Sequence, residues 1–169
     1  MNRFSVKNII TRNLSAKQIK DLCNLKKKHW KFSLNEQLKW FEKNAHTKDN
    51  HVLIYSKFIL VGYVHLGLRK IIINSRNKKY ILFRNLIVNK NFRNKKISSL
   101  IMRYVSNYII KKKKIGFLIC KKKLCNFYIK YNWKKISKRT NTLLDHKNKK
   151  MKFMIYNNKI GTKKFYYYC

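Results

Sequence analysis

The stretch YILFRNLIVNKNFRNKKISSLIMRYVSNYII, residues 80–110, decides the fold of this chain. Its first part, Tyr80 to Val88, is apolar and predicts a buried strand, and a basic loop centred on Arg93 follows. From about Ser98 the apolar residues recur with helical spacing, and a second apolar strand, Ile115 to Cys120, comes next. This order predicts an anion site, because backbone N–H groups of the loop and of the helix N-terminus can face one ligand.

Two capping boxes predict two helices upstream of this unit. Ser15-Ala16-Lys17-Gln18 begins a helix that runs to about Lys27, and Ser33-Leu34-Asn35-Glu36 begins a second helix. Around them we predict an α+β fold with a mixed, mainly antiparallel sheet and one β-α-β unit, which forces a parallel pair. The other predicted segments are strands at Phe4 to Ile10, His51 to Tyr55, Phe58 to Leu68, Lys70 to Ile73, Lys135 to Lys138 and Lys152 to Asn158, a turn at 74–79, a loop at 141–150, and a tail at 165–169 that is either a short edge strand or frayed.

Length and composition favour one globular domain that covers all 169 residues. No apolar run approaches the roughly 18 residues needed to cross a bilayer, and Met1 to Lys7 lacks the apolar core of a secretory signal. We therefore expect a cytoplasmic protein without a membrane partner. The cysteines form no Cys-x-x-Cys pair and no Cys/His cluster has zinc spacing, so free thiols and no metal are expected. They are Cys23, Cys120, Cys125 and Cys169.

The charge of the chain is extreme, with 43 Lys and Arg against 5 Asp and Glu. Nucleic-acid binding explains such an excess, and so does compositional bias toward residues with A/T-rich codons. Bias accounts in addition for the absence of Pro and for only 4 Gly, where average usage is about 5% and 7%. We attribute the surplus mainly to bias, and on either reading the surface should attract RNA non-specifically at low salt.

Two motifs in the central region resemble those of the GNAT N-acetyltransferases. Val88 to Ser98 resembles the acetyl-CoA loop of that family, which reads Gln/Arg-x-x-Gly-x-Gly/Ala after a strand ending in Val, and Asn126 to Trp133 is similar to its later Asn-x-Phe-Tyr-x-x-x-Gly-Phe/Trp element. The resemblance implies a GNAT-like sheet with helices on both faces and an acetyl-CoA-dependent transfer to a primary amine. Lys96 and Asn132 stand where the family has Gly, and Asn adopts positive φ more readily than most residues.

The resemblance also implies roles for particular residues. The backbone around Ile87 and Val88 would hold the pantetheine arm and polarise the thioester carbonyl. Asn126 would hydrogen-bond that arm, with a helix N-cap or turn residue as the alternative. Tyr128 is the candidate general acid toward the CoA sulfur, with a packed aromatic as the alternative. The pyrophosphate would be cradled at the helix N-terminus by Arg93, Asn94, Lys95, Lys96, Ile97 and Ser98.

A general base is harder to find in the sequence. From Asn50 through Leu144 the chain contains no Asp or Glu, so a carboxylate on the strand before the loop is excluded. The alternatives are a water relay, His65, Glu36 or the terminal carboxylate.

The net charge limits the chemical class of the acceptor substrate, because a protein of net charge +38 repels a polycationic aminoglycoside. An anionic amino sugar or a protein amine suits this field better. The competing hypothesis is a basic RNA- or ribosome-associated binding protein that has the same fold and no turnover. The sequence does not identify the acceptor or the oligomeric state.

Overall fold

The structure is a computed structural model that describes residues 4–73, 76–136, 151–157 and 165–167. Within these ranges the chain forms a sheet with four α-helices. The strands are β1 (Ser5–Ile10), β2 (Asn50–Ser56), β3 (Ile59–Ile73), β4 (Arg76–Val88), β5 (Ile115–Lys121), β6 (Lys134–Lys135), β7 (Met151–Tyr156) and β8 (Phe165–Tyr167), and the helices are α1 (Ala16–Lys27), α2 (Leu34–Asn44), α3 (Ile97–Lys111) and α4 (Cys125–Ile129).

Both predicted capping boxes form and set the starts of α1 and α2. The Ser15 hydroxyl accepts a hydrogen bond from the Gln18 backbone N–H at 3.2 Å, and the Gln18 side chain accepts from the Ser15 N–H at 2.9 Å. The same pair of bonds joins Ser33 and Glu36, at 3.2 and 2.7 Å. These reciprocal bonds satisfy N–H groups that a helix start leaves without an intrahelical acceptor.

The strands β3 and β4 are longer than the sequence predicted. The separate strand at Lys70 to Ile73 was wrong, because β3 continues unbroken from Ile59 to Ile73. The predicted turn at 74–79 was also wrong for most of its length, since β4 already begins at Arg76. The polar residues 76–79 were read as a turn, yet pairing in a sheet overrides the weak strand preference of Asn and Lys.

The predicted β-α-β unit is confirmed. Strands β4 and β5 are parallel, with Tyr80 opposite Ile115 and Leu82 opposite Phe117, and α3 makes the crossover. The pairs β1–β2, β2–β3, β5–β7, β6–β7 and β3–β8 are antiparallel. Hydrogen-bonded neighbours follow the order β1-β2-β3-β4-β5-β7-β6, with β8 beside β3. The result is the mixed α+β sheet that the sequence predicted.

The last strands differ in detail from the prediction. Strand β6 covers Lys134–Lys135, and β7 covers Met151–Tyr156. Residues 137 and 138 of the strand predicted at Lys135 to Lys138 lie outside the described residues. The tail forms a short strand at Phe165–Tyr167, which was one of the two alternatives. The predicted loop at 141–150 lies outside the described residues.

The chain divides into two compact units. The first unit is Met1–Gly67 with Arg84–Met102, and the second is Leu68–Phe83 with Arg103–Cys169. Strands β3 and β4 and helix α3 contribute residues to both. The core of the first unit packs α1 and α2 on the strands through Leu14, Leu22, Cys23, Leu25, Phe41, Leu53, Leu60, Tyr63 and Ile87. The second unit is centred on Tyr80, Leu82, Phe117 and Ile155.

Candidate active site

The turn before α3 contains two residues with positive φ. Asn94 has φ 60° and Lys96 has φ 59°, so both adopt the left-handed conformation that glycine adopts without strain. Lys96 stands where the similar family has Gly, and its side chain is exposed. The turn runs into the start of α3, whose first N–H groups have no intrahelical acceptor. This segment can therefore present several N–H donors to an anion.

Local hydrogen bonds and one close packing contact fix that turn. The Asn89 N–H donates to the carbonyl of Val61 on β3 at 2.9 Å, and the Asn89 side-chain oxygen accepts from the Asn91 N–H at 3.2 Å. The first residue of α3, Ile97, is buried against Gly62. A Cβ added at Gly62 would lie 2.8 Å from the Ile97 side chain, so only glycine lets α3 begin this close to the strand.

A cavity of about 380 Å³ lies where β4 ends and this turn begins. Two of the residues assigned to the pantetheine arm, Ile87 and Val88, line it. The opposite wall comes from the end of α1. The remaining lining residues are Leu25, Lys28, His29, Asn89, Lys90 and Asn91. Ile87 and Val88 thus lie on a cavity directly before the turn that contains Asn94 and Lys96.

Tyr128 and Asn126 lie on the short helix α4 in the second unit. The Tyr128 side chain is about 6% exposed and packs edge-on against Phe83, with ring centroids 5.9 Å apart. Burial, and secondarily the neighbouring Cys120, raises the pKa of the Tyr128 phenol above its usual value. Asn126 is exposed and is the second residue of α4, so the N-cap alternative was wrong because Leu124 occupies that position.

A second cavity, of about 320 Å³, lies between α1, α2 and β4. Its wall is rich in aromatic rings, and it carries one lysine and one carboxylate. Apart from Glu36, these residues carry no motif that predicts a site. The lining consists of Lys26, Trp30, Phe32, Glu36, Gln37, Trp40 and Asn85. We refer to it below as the aromatic cavity.

Lys26 is an unusual wall residue because only 2% of it is exposed. Its Nζ lies 3.7 Å from the centroid of the Trp40 ring, and no described residue offers that Nζ a hydrogen bond. Burial lowers the pKa of Lys26 to about 8; nearby Cys23 raises it and Arg84 lowers it further. Lys26 is thus a largely protonated amine that water reaches poorly.

Asn85 contributes a second donor to the same wall. It has φ 58° in the middle of β4, a left-handed residue that interrupts the regular strand backbone. Its Nδ2 is buried and has no hydrogen-bond partner within the described part of the chain. Arg84 beside it donates to the Asn44 carbonyl at 2.9 Å and thereby ties β4 to the end of α2.

Of the two side chains predicted as a possible general base, Glu36 lines a cavity and His65 does not. Glu36 lines the aromatic cavity and is exposed, and the hydrogen bonds of its capping box to Ser33 lower its pKa. His65 is completely buried, and its Nε2 lies 2.9 Å from the Asp49 carboxylate. It stacks on His51 with centroids 4.7 Å apart and does not line either cavity. His65 therefore belongs to a buried polar network of the first unit.

That network was not visible in the sequence. Asp49 is only 2% exposed, and its carboxylate also lies 4.0 Å from Arg84. His51 bonds the Tyr63 hydroxyl through Nδ1 at 2.8 Å and the Thr11 hydroxyl through Nε2 at 2.9 Å. The only hint was two His residues at positions that alternation places on one face of paired strands.

No protein-family model matches this sequence. No curated protein matches it either. Solved structures match it in fold. Arabidopsis thaliana Naa50, in complex with the bisubstrate analogue CoA-Ac-MVNAL, is 17% identical with a TM-score of 0.64, over 92% of this chain and 99% of that chain. Escherichia coli ElaA is 14% identical with a TM-score of 0.63, over 90% and 98%.

A third neighbour is an aminoglycoside 6'-N-acetyltransferase complexed with coenzyme A. It is 11% identical with a TM-score of 0.66, over 89% of this chain and 96% of that chain. The agreement spans nearly the whole length on both sides. The chain therefore has the fold of the GNAT N-acetyltransferases, as its two motifs predicted. None of the helices in the described ranges is both long and apolar enough to cross a membrane.

Proposed function

We propose that this protein is an acetyl-CoA-dependent N-acetyltransferase that acts on a primary amine. The observation that carries the proposal is the turn at Asn94 and Lys96, which keeps a glycine-like backbone without glycine. Composition bias explains the loss of the glycines, but it does not explain retention of a strained backbone. An anion held by the turn and the N-terminus of α3 gives that conformation a use.

The residues fit the proposed co-substrate. Acetyl-CoA supplies an activated acetyl thioester, a diphosphate and a long, narrow arm. Ile87 and Val88 line the cavity of about 380 Å³ in which we place that arm, and Asn126 is the proposed polar contact to it. The exposed Lys96 side chain leaves the backbone accessible and adds positive charge. The diphosphate cradle in this proposal consists of Arg93, Asn94, Lys95, Lys96, Ile97 and Ser98.

Tyr128 is the proposed general acid. Its phenol carries a proton at neutral pH that it would donate to the departing sulfur. Burial raises the pKa of this phenol, which makes it a weaker acid than an exposed tyrosine. A buried phenol also makes a stronger electrostatic interaction with developing thiolate than an exposed one, because water does not compete.

For the acceptor, we propose an amine without excess positive charge, such as an anionic amino sugar or a protein amine. Among the described residues, Glu36 is the one carboxylate that lines either cavity, so a polycation would find little compensation there. Glu36 is also the proposed group that holds the acceptor amine and relays its proton. Because Gln serves equally in a capping box, Glu36→Gln removes the charge and keeps the helix start.

The first test is calorimetry with acetyl-CoA, followed by release of the CoA thiol with glucosamine 6-phosphate, a peptide with a free N-terminus and L-phenylalanine as acceptors. Tyr128→Phe should leave acetyl-CoA affinity unchanged and lower kcat about a hundredfold. Tyr131→Phe, in the same segment, is the matched control and should leave kcat unchanged. A Tyr128→Phe variant with full kcat would remove the acid from the mechanism.

The alternative function is a basic binding protein without turnover, which the net charge of +38 favours. It predicts no heat with acetyl-CoA together with salt-dependent binding to RNA. That pair of results would replace the enzyme proposal. RNA binding that disappears near physiological salt, beside clear acetyl-CoA binding, would leave it in place.

A further inference from the structure

The aromatic cavity carries two donors that the described chain leaves without acceptors. Nζ of Lys26 and Nδ2 of Asn85 are both buried and lack hydrogen-bond partners in the described ranges. A buried donor without a partner is costly, so such groups indicate a bound species that supplies an acceptor. Since one donor is an ammonium, the matching acceptor is a carboxylate or another anionic oxygen.

The rest of the wall indicates what else the ligand carries. Trp30, Phe32 and Trp40 supply three rings to a cavity of about 320 Å³, which is large enough for an aromatic ring with a short polar arm. Phe32 is 55% exposed, a large aromatic surface left open to solvent beside that cavity. An apolar ring of the ligand would cover that surface.

Charge completes the description of the ligand. The wall holds one ammonium, on Lys26, and one carboxylate, on Glu36. A ligand with one carboxylate and one ammonium finds a complementary partner for each, whereas a ligand with only ammonium groups leaves Lys26 uncompensated. We propose that the aromatic cavity binds an aromatic α-amino acid, with its ring among Trp30, Phe32 and Trp40.

In this arrangement the carboxylate accepts from Lys26 and Asn85, and the α-amine lies toward Glu36. The inference rests on the proposed function in one respect, since the α-amine is then the group that receives the acetyl. Binding itself does not depend on turnover, and it is measured without acetyl-CoA.

The experiment is calorimetry with four probes that differ by one group. L-Phenylalanine carries ring, amine and carboxylate; L-phenylalaninamide lacks the negative charge; phenethylamine lacks the carboxyl group; and L-alanine lacks the ring. We expect L-phenylalanine to bind about tenfold more tightly than its amide, because a bond between charged groups is stronger. L-Alanine should bind at least about a hundredfold more weakly, because no ring is buried.

Two variants test whether residues of the aromatic cavity cause the preference for L-phenylalanine over its amide. Lys26→Met keeps the apolar stem and should remove the tenfold preference for L-phenylalanine over its amide. Asn85→Asp places an anion beside the ligand carboxylate and should reverse the preference. Lys27→Met is the matched control, because Lys27 is exposed on the same helix and does not line the cavity. It should leave all four affinities unchanged.

The inference is overturned if phenethylamine or L-alanine binds as tightly as L-phenylalanine, if none of the probes binds, or if Lys26→Met keeps the full preference. Failure of the proposed function looks different. In that case L-phenylalanine binds with the expected pattern, but acetyl-CoA neither binds nor is consumed.

Discussion

The two compact units of this chain bury different kinds of side chain. In the first unit, the buried set includes a lysine, a glutamine, an aspartate and two histidines, namely Lys26, Gln37, Asp49, His51 and His65. In the second unit, the described buried side chains are aliphatic, aromatic or sulfur-bearing, as in the contacts of Cys120 with Cys125 and Met154. Both cavities described above are lined by the first unit.

The two units therefore differ in how many polar groups they bury among the described residues. Burying polar groups is costly unless each finds a partner. The described part of the second unit avoids that cost, because its buried side chains are apolar, aromatic or sulfur-bearing. The first unit accepts the cost, and it does so next to the aromatic cavity, where Lys26 is a wall residue. Perturbed, buried ionisable groups beside a cavity are typical of functional sites.

The largest expected effect comes from breaking the buried network. Asp49→Asn should lower the free energy of unfolding by about 3–5 kcal/mol, because it removes the buried carboxylate that lies 2.9 Å from His65 and 4.0 Å from the Arg84 guanidinium. Asp21→Asn is the control, since the Lys17–Asp21 pair at 3.1 Å is exposed and should be worth less than about 1 kcal/mol. Urea denaturation at pH 7 measures both. Equal losses would mean that the first unit does not depend on its buried polar groups.

Lys26→Met should stabilise the protein at pH 7 by up to about 3 kcal/mol. The pKa of Lys26 falls from 10.5 to about 8 on folding, and a gap of that size corresponds to about 3 kcal/mol. Between those pH values the unfolded chain binds the extra proton, so wild-type stability rises with pH there. The advantage of Lys26→Met should therefore shrink by about 1 kcal/mol from pH 8 to pH 9.

Urea denaturation at pH 7, 8 and 9 measures this effect, with Lys27→Met as the exposed control. The raised pKa of Cys23 acts in the opposite direction above pH 9, so the comparison is kept at pH 9 and below. A constant difference across these pH values would show that packing, rather than the buried charge, separates the variant from the wild type.

His51 should make the first unit sensitive to acid. Burial, and next the charge of His65, lowers the pKa of His51 from 6.5 to about 3. Between pH 6.5 and about pH 3, His51 is protonated in the unfolded chain but not in the folded chain. The free energy of unfolding therefore decreases as the pH is lowered through this range. The loss should reach about 2 kcal/mol at pH 5.

The comparison is His51→Gln, which cannot titrate, and the control is His46→Gln, at an exposed position. Denaturation at pH 7 and pH 5 gives the slope for each. We expect a shallower slope for His51→Gln and an unchanged one for His46→Gln. Identical slopes in all three proteins would assign the acid sensitivity to other groups.

The smallest expected effect is the difference in stability gained by glycine at two residues with positive φ, Lys96 in the first unit and Asn132 in the second. Lys96→Gly should raise the free energy of unfolding by about 1 kcal/mol, because a Cβ is strained at φ 59°. Asn132→Gly in the second unit has φ 64°, but Asn tolerates that region, so the gain should be a few tenths of a kcal/mol at most. Thermal unfolding measures both, and a larger gain at Asn132 would contradict the strain assigned to Lys96.

The sequence predicted most of the fold because its signals are local. The capping boxes at Ser15 and Ser33 fixed the starts of α1 and α2, and apolar runs with helical or strand spacing located the central unit. The prediction was wrong where local polarity opposed sheet pairing, at residues 76–79. Asn132, which stands where the similar family has Gly, has a positive φ of 64°.

The candidate site was only half visible in the sequence. The turn between β4 and α3 could be located because its residues are consecutive, and its role as an anion site stays a prediction. The aromatic cavity could not, because Lys26, Trp40 and Asn85 come from three separate elements, and only packing brings them together. Asp49 was missed for the same reason, since its partners are 16 and 35 positions away.

The amino-acid sequence alone predicted the helix starts and the order of strand, turn, helix and strand in the central unit, because these patterns depend on residues that are close together in the chain. Tertiary structure decided which charges are buried and which are exposed. Desolvation depends on what surrounds a group in space, so Lys26 and Lys27, adjacent in the chain, end with entirely different environments.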